Sequence, residues 1–146
     1  MSELIVKMSV ILADTYALYL KTQNYHWHVK GLQFKSLHDL FEGQYRELAE
    51  AIDAVAERMR IMGHNAPATF KEYERLKTIK DGNSHLSATA MVSELANDNA
   101  TLVKDLNKAM QFAQTANDEG TVNLLSERIA AHQKAHWMLS ASCEQP

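Results

Sequence analysis

The chain has 146 residues, 46% of them hydrophobic and 23% charged, a length and balance suited to one domain, residues 1–146, with a substantial core. Its formal charge of −3 excludes a global electrostatic pull toward nucleic acid or acidic membranes, and a lone cysteine, Cys143, excludes an internal disulfide and fits a reducing compartment. Glu3, Lys7 and Asp14 interrupt the N-terminal apolar run, and no stretch approaches the roughly 18 apolar residues of a membrane span, so the reading is a cytoplasmic protein with no leader and no membrane partner.

Five Gly and two Pro, set against abundant Ala, Leu, Glu, Lys and Met, predict long helices with few turns. The first segment, about Ser2 to Val29, spaces Leu4, Met8, Ile11, Leu12, Tyr16, Tyr19 and Leu20 by threes and fours, one stripe of an amphipathic helix that Gly31 stops. The second, about Lys35 to Met62, repeats the pattern with Leu37, Leu40, Phe41, Leu48, Ile52, Val55 and Met59, and ends at Gly63. Pro67 breaks the next stretch, and Thr69 followed by Glu72 reads as a capping box for a short linker helix. A third long helix is expected over about Ser87 to Asn117. Gly120 is expected to break the chain, and a last helix covers about Thr121 to Ser142. Short first and last connections make antiparallel neighbours. The link between the second and third long helices is long enough to cross over, so the fold class is an all-α, up-down four-helix bundle with a short extra helix in the crossover.

The second helix carries polar residues in an unusual pattern. His38 and Glu42 are four apart, as are Asp53 and Glu57, and at 100° per residue the four fall at roughly 0°, 40°, 60° and 100°, one stripe. Imidazole with carboxylate on one helical face suits a divalent iron, manganese or zinc ion. Glu42 and Asp53 are separated by roughly 16 Å along the axis, whereas a metal–ligand bond is about 2 Å, so one chain cannot close a single site from both pairs. Either each pair is solvated helix surface, or each is half of a site that a two-fold partner completes. His26, beside the start of the second helix, is placed to join the His38 half. No Glu in the chain has a His three residues later, so the intrachain Glu-x-x-His signature of di-iron bundles is absent.

The segments NYHWHVKG (24–31), FKSLHDLFE (34–42) and DAVAER (53–58) together resemble the signature of the Dps proteins, or miniferritins. The resemblance implies a ferritin-like bundle that assembles into a hollow dodecamer, oxidises Fe(II), commonly with hydrogen peroxide, and stores ferric mineral, protecting against oxidative stress. It implies intersubunit ferroxidase centres in which His26 and His38 of one subunit meet Asp53 and Glu57 of its two-fold partner. Glu42 stands where the family often has Asp. Trp27 matches a tryptophan beside the centre, a candidate electron donor expected to pack against it. Asp118, Glu119 and Glu127 match the region of an acidic iron-entry pore, although acidic groups at a helix start also simply favour its dipole.

Two features depart from the family pattern. His28 replaces a frequent Asn; on a helix it lies about 200° from His26, which makes it a cap, a surface residue or an interface contact. The Lys/Arg-rich tail of DNA-binding members has no counterpart, since only Lys7 precedes Lys21 and SASCEQP carries no basic residue. Binding to DNA is therefore expected to be weak, and a DNA-compacting protein with secondary metal chemistry is the alternative function; a purely structural bundle is the third. His132 and His136, four apart before Trp137, read either as a metal pair or as hydrogen-bonded core histidines, while His64 and His85 fall in loops.

Overall fold

The computed structural model describes residues 2–143; the last residues of SASCEQP, 144–146, lie outside them. Five helices follow in order: α1 Glu3–His28, α2 Phe34–Ile61, α3 Phe70–Leu76, α4 Ala88–Thr115 and α5 Glu119–Ser142. Each expected helix is present, and among the described residues there is no strand. None of the helices is long and apolar enough to cross a membrane.

The helix ends follow from local chemistry. Ser2, Thr69, Ser87 and Asp118 sit at the starts of α1, α3, α4 and α5, and each side chain accepts from an amide three residues on. Glu72 completes the α3 capping box by accepting from the Thr69 hydroxyl at 2.9 Å and the Ala68 amide at 3.2 Å. At the end of α2, the amides of Gly63 and His64 donate back to the Arg60 and Met59 carbonyls. Gly63 makes this reversal with φ +89°, the left-handed conformation that closes a helix through paired back-bonds.

The junction of α4 and α5 differs from the sequence expectation. Gly120 is not the break; it lies in the first turn of α5. Asn117, at φ +55°, makes the left-handed turn, with the amides of Asn117 and Asp118 donating to the Gln114 and Ala113 carbonyls. Asn tolerates that conformation well enough to end a helix, and Asp118 then caps the next one immediately. Gly120 is small for another reason: a Cβ there would lie 2.6 Å from Nη1 of Arg58, whose guanidinium crosses it to reach Asp118.

Helices α1 and α2 pack as one antiparallel hairpin and α4 and α5 as another; α1 lies on α4, and α2 on α5. The Tyr25 hydroxyl near the end of α1 donates to Glu94 at the start of α4, at 2.6 Å. Arg58 near the end of α2 reaches Asp118 at the start of α5. The crossover therefore runs the length of the bundle, and α4 is parallel to α2. A buried carboxylate pins it: Asp14, in the middle of α1, accepts from the Thr78 amide (2.6 Å), the Thr78 hydroxyl (2.7 Å) and the Ile79 amide (3.0 Å). Fully buried Met8, Leu12, Phe41, Met59, Leu95 and Leu125 represent the contributions of the four long helices to one core.

Candidate metal centre

Gly31, at φ +115°, turns the five residues between α1 and α2, and this tight hairpin sets the end of α1 against the first turns of α2. His26 and His38 meet there with rings stacked 3.8 Å apart at 19°. They exchange hydrogen bonds: Nδ1 of His26 donates to the His38 carbonyl at 2.7 Å, and Nδ1 of His38 donates to the His26 carbonyl at 2.8 Å. A carbonyl only accepts, so each Nδ1 carries a proton, and in the neutral ring the lone pair is on Nε2. A metal-ligating histidine is oriented in just this manner, through the nitrogen that does not bind.

Glu42, one turn along α2, completes the group. Its Oε1 lies 3.7 Å from Nε2 of His26, and its Oε2 accepts from Nε of Arg46 at 3.1 Å. One donor atom from each of His26, His38 and Glu42 falls within a 4.8 Å sphere of mutual separation, a set able to hold a metal ion. His26 is buried, while His38 and Glu42 are half-buried, so the ligand atoms open outward from the hairpin rather than into the core.

Asp53 and Glu57 are exposed on α2 and do not join this group within one chain. The chain thus presents an imidazole-rich cluster and, roughly 16 Å away along the same helix, a separate carboxylate pair. Within one chain Trp27 is 59% exposed. The ring that meets His26 is Tyr45, at 5.2 Å, with the Arg46 guanidinium 5.4 Å from the Tyr45 ring centre. Tyr45 went unread in the sequence although the signal was present, because seven residues after His38 it returns to the same stripe of α2.

The remaining candidates have local tasks. His28 is exposed, and its Nδ1 donates to the Asn24 carbonyl at 2.8 Å, closing the last turn of α1. His132 is buried with both nitrogens occupied: Nδ1 donates to Asn99 Oδ1 at 2.8 Å, and Nε2 accepts from Arg128 at 3.0 Å. Burial pushes its imidazole down to about 3, and it has no lone pair left for a metal. His136 donates from Nδ1 to the Ala96 carbonyl at 2.8 Å, and because both nitrogens of His132 are engaged, the two do not form a metal pair. Asp118 is the N-cap of α5; the Thr121 hydroxyl first, then the Thr121 amide and Arg58, hold its carboxyl below the usual carboxylate range. Glu119 and Glu127 are exposed on α5.

Residues 7–145 match the ferritin-like domain family. The chain is 38% identical over 133 residues to DNA protection during starvation protein 2 of Bacillus anthracis, covering 91% of each chain. It is also 38% identical to the DNA protection during starvation protein of Brevibacillus brevis, over 90% of this chain and 89% of that one. Among solved structures, the Dps protein of Bacillus brevis superposes with a TM-score of 0.93 at 36% identity, covering 97% of this chain and 95% of that one. The Dps protein of Vibrio cholerae, described as a member of a broad superfamily of ferritin-like diiron-carboxylate proteins, superposes with a TM-score of 0.93 at 28% identity over 97% and 89%. With the stacked histidines on the α1–α2 hairpin and this similarity along almost the whole chain, the protein belongs to the Dps family of ferritin-like proteins, the miniferritins.

Proposed function

We propose that the chain oxidises Fe(II), with hydrogen peroxide as oxidant, at ferroxidase centres formed between two-fold-related subunits, and that it stores the ferric product in a hollow dodecamer. The observation that carries this reading is the exchange of hydrogen bonds between His26 and His38, which leaves both Nε2 atoms free beside Glu42. Mere packing of two histidines would not require both lone pairs to be spared on the same side.

Iron is the substrate. His26 and His38 supply neutral nitrogen donors and Glu42 an anionic oxygen, and Asp53 and Glu57 of the partner subunit supply the remaining carboxylates. An isologous interface gives this pairing twice, once at each end. Few ligands per subunit leave coordination positions for oxidant and water. Closure by the partner keeps the oxidant away from bulk solvent. Trp27 is assigned as an electron donor beside the assembled centre, and Asp118, Glu119 and Glu127 as an acidic iron-entry pore. In that pore Glu119 and Glu127 are the more open carboxylates, Glu127 accepting from Asn123 at 3.4 Å, since Asp118 is engaged with Thr121 and Arg58. DNA binding is weak on this reading, because the net charge is −3.

Anaerobic addition of Fe(II) followed by peroxide tests the reading. The expected result is a rapid rise in ferric absorbance and a soluble iron-loaded particle. Equal oxidation rates in wild type and in a double His38→Ala/Asp53→Ala variant would refute the assignment, and so would a chain that remains a monomer.

A further inference from the structure

Four of the five tyrosines form one line of touching rings that begins at the metal cluster. Tyr45 lies 5.2 Å from His26; Tyr19 meets Tyr45 at 6.0 Å and 65°; Tyr16 meets Tyr19 at 5.7 Å and 72°; Tyr73 stacks on Tyr16 at 4.9 Å and 27°. Every step is within the spacing of direct ring contact. The line passes from α2 across α1 to α3, and all four rings are half-buried. It ends in a groove of about 450 Å³ between α1 and the crossover, where Tyr16 and Tyr73 are both wall residues. Tyr25, the fifth, stands apart, its hydroxyl committed to Glu94 and the Asn83 amide.

A packing role would ask only for rings, which phenylalanine supplies. A phenol adds an O–H that can be oxidised by one electron with loss of its proton. We propose that Tyr45, Tyr19, Tyr16 and Tyr73 form a relay that carries an oxidising equivalent from the His26–His38–Glu42 cluster to the groove at Tyr73.

The relay rests on the ferroxidase reading, and its balance is definite. Hydrogen peroxide needs two electrons and two protons to break its O–O bond and become two waters. When a single Fe(II) occupies the centre, iron gives one electron, Tyr45 gives the second, the Tyr45 phenol releases one proton and solvent supplies the other. The products are Fe(III), two waters and a neutral tyrosyl radical. The Arg46 guanidinium over the Tyr45 ring opposes a positive charge there, so the proton leaves with the electron. Tyr19, Tyr16 and Tyr73 then pass an electron inward in turn. Each former radical regains a proton from water and each new one loses a proton to it, so the radical comes to rest on Tyr73, away from the iron.

The test loads the assembled protein anaerobically with one Fe(II) per centre, adds peroxide, and freezes samples for electron paramagnetic resonance while ferric absorbance is followed in parallel. Peptide mass spectrometry then locates oxidised residues. Wild type is expected to give a tyrosyl signal with modification at Tyr73. Tyr45→Phe, which keeps the ring, is expected to lose the signal. Tyr16→Phe is expected to keep a radical but move the modification back to Tyr45 and Tyr19. Tyr25→Phe is expected to match wild type. A tyrosyl yield unchanged in Tyr45→Phe, or ferric product without any tyrosyl signal, including a radical that rests on Trp27 alone, each overturns the relay alone. Absence of ferric product in wild type overturns the ferroxidase reading, and the relay with it.

Discussion

A centre shared across a two-fold axis makes a numerical prediction that an intrachain site does not. His38→Ala and Asp53→Ala each remove one half of every centre, so either variant alone is expected to lose rapid peroxide-dependent iron oxidation. Consider one subunit of each kind paired in a dimer. One centre draws its histidine from the His38→Ala chain and its aspartate from the Asp53→Ala chain, and is doubly broken. The other draws an intact His38 from the Asp53→Ala chain and an intact Asp53 from the His38→Ala chain. It is whole. Random pairing of equal amounts makes about half of the dimers mixed, each with one of two centres restored, so the mixture recovers about one quarter of the wild-type centres. The roughly 16 Å between Glu42 and Asp53 is what forbids the same rescue within one chain. Coexpression of the two variants with distinguishable tags, followed by measurement of the initial rate of ferric absorbance per subunit, provides the assay. A mixed particle as inactive as its parents, with mixing verified by mass spectrometry, would refute the shared centre.

Three further outcomes follow from other parts of the molecule. Asp14→Ala removes the acceptor of three hydrogen bonds from the crossover; at the lower net figure of about 1.5 kcal/mol for each bond to a charged group, the loss is about 4.5 kcal/mol. It should appear in denaturant unfolding, with faster amide exchange at Thr78 and Ile79, and an unchanged midpoint would contradict the account. The buried His132 has a folded value near 3 against an ordinary 6.5, so below pH 6.5 the unfolded chain binds the extra proton and stability falls as pH falls; between pH 6.5 and 5 this group withdraws about 2 kcal/mol. His132→Gln should flatten that part of the stability–pH curve, whereas an equally steep curve would show that other groups dominate it. Glu42→Ala removes the anionic donor of the cluster and should weaken Fe(II) or Zn(II) binding at least about tenfold by calorimetric titration, and unaltered affinity would remove Glu42 from the ligand set.

The bundle was legible because its signals are local and periodic: apolar stripes at helical spacing, capping residues, and Gly63 at a helix end. The misplaced break at Gly120 shows where such reading stops. A glycine near a helix start looks like punctuation, yet this one is small because the Arg58 guanidinium, 62 positions earlier in the chain, passes over it. That is a tertiary cause with no local trace. His132 and His136 were equally ambiguous, since four-residue spacing is shared by metal pairs and by buried histidines. Only the positions of Asn99, Arg128 and the Ala96 carbonyl decide between them. Tyr45 was legible only in part: its return to the His38 stripe is visible in the spacing, but its contact with His26 depends on how α2 packs on the end of α1.

The reciprocal histidine bonds bear on the order in which a site of this kind is built. His26 and His38 hold one another by ring stacking and by two hydrogen bonds that need neither metal nor partner. The imidazole half is therefore preorganised in the folded chain, and binding there costs little additional ordering. Asp53 and Glu57 are exposed, and like-charged residues four apart on a helix repel. A cation placed between them by a partner relieves that repulsion, so on the proposed reading metal binding and two-fold association reinforce each other. Linkage then requires the reverse effect: metal should strengthen the dimer by the same factor by which dimerisation strengthens metal binding. A chain that binds metal with one affinity as monomer and dimer would lack that coupling, and its carboxylate pair would be ordinary helix surface.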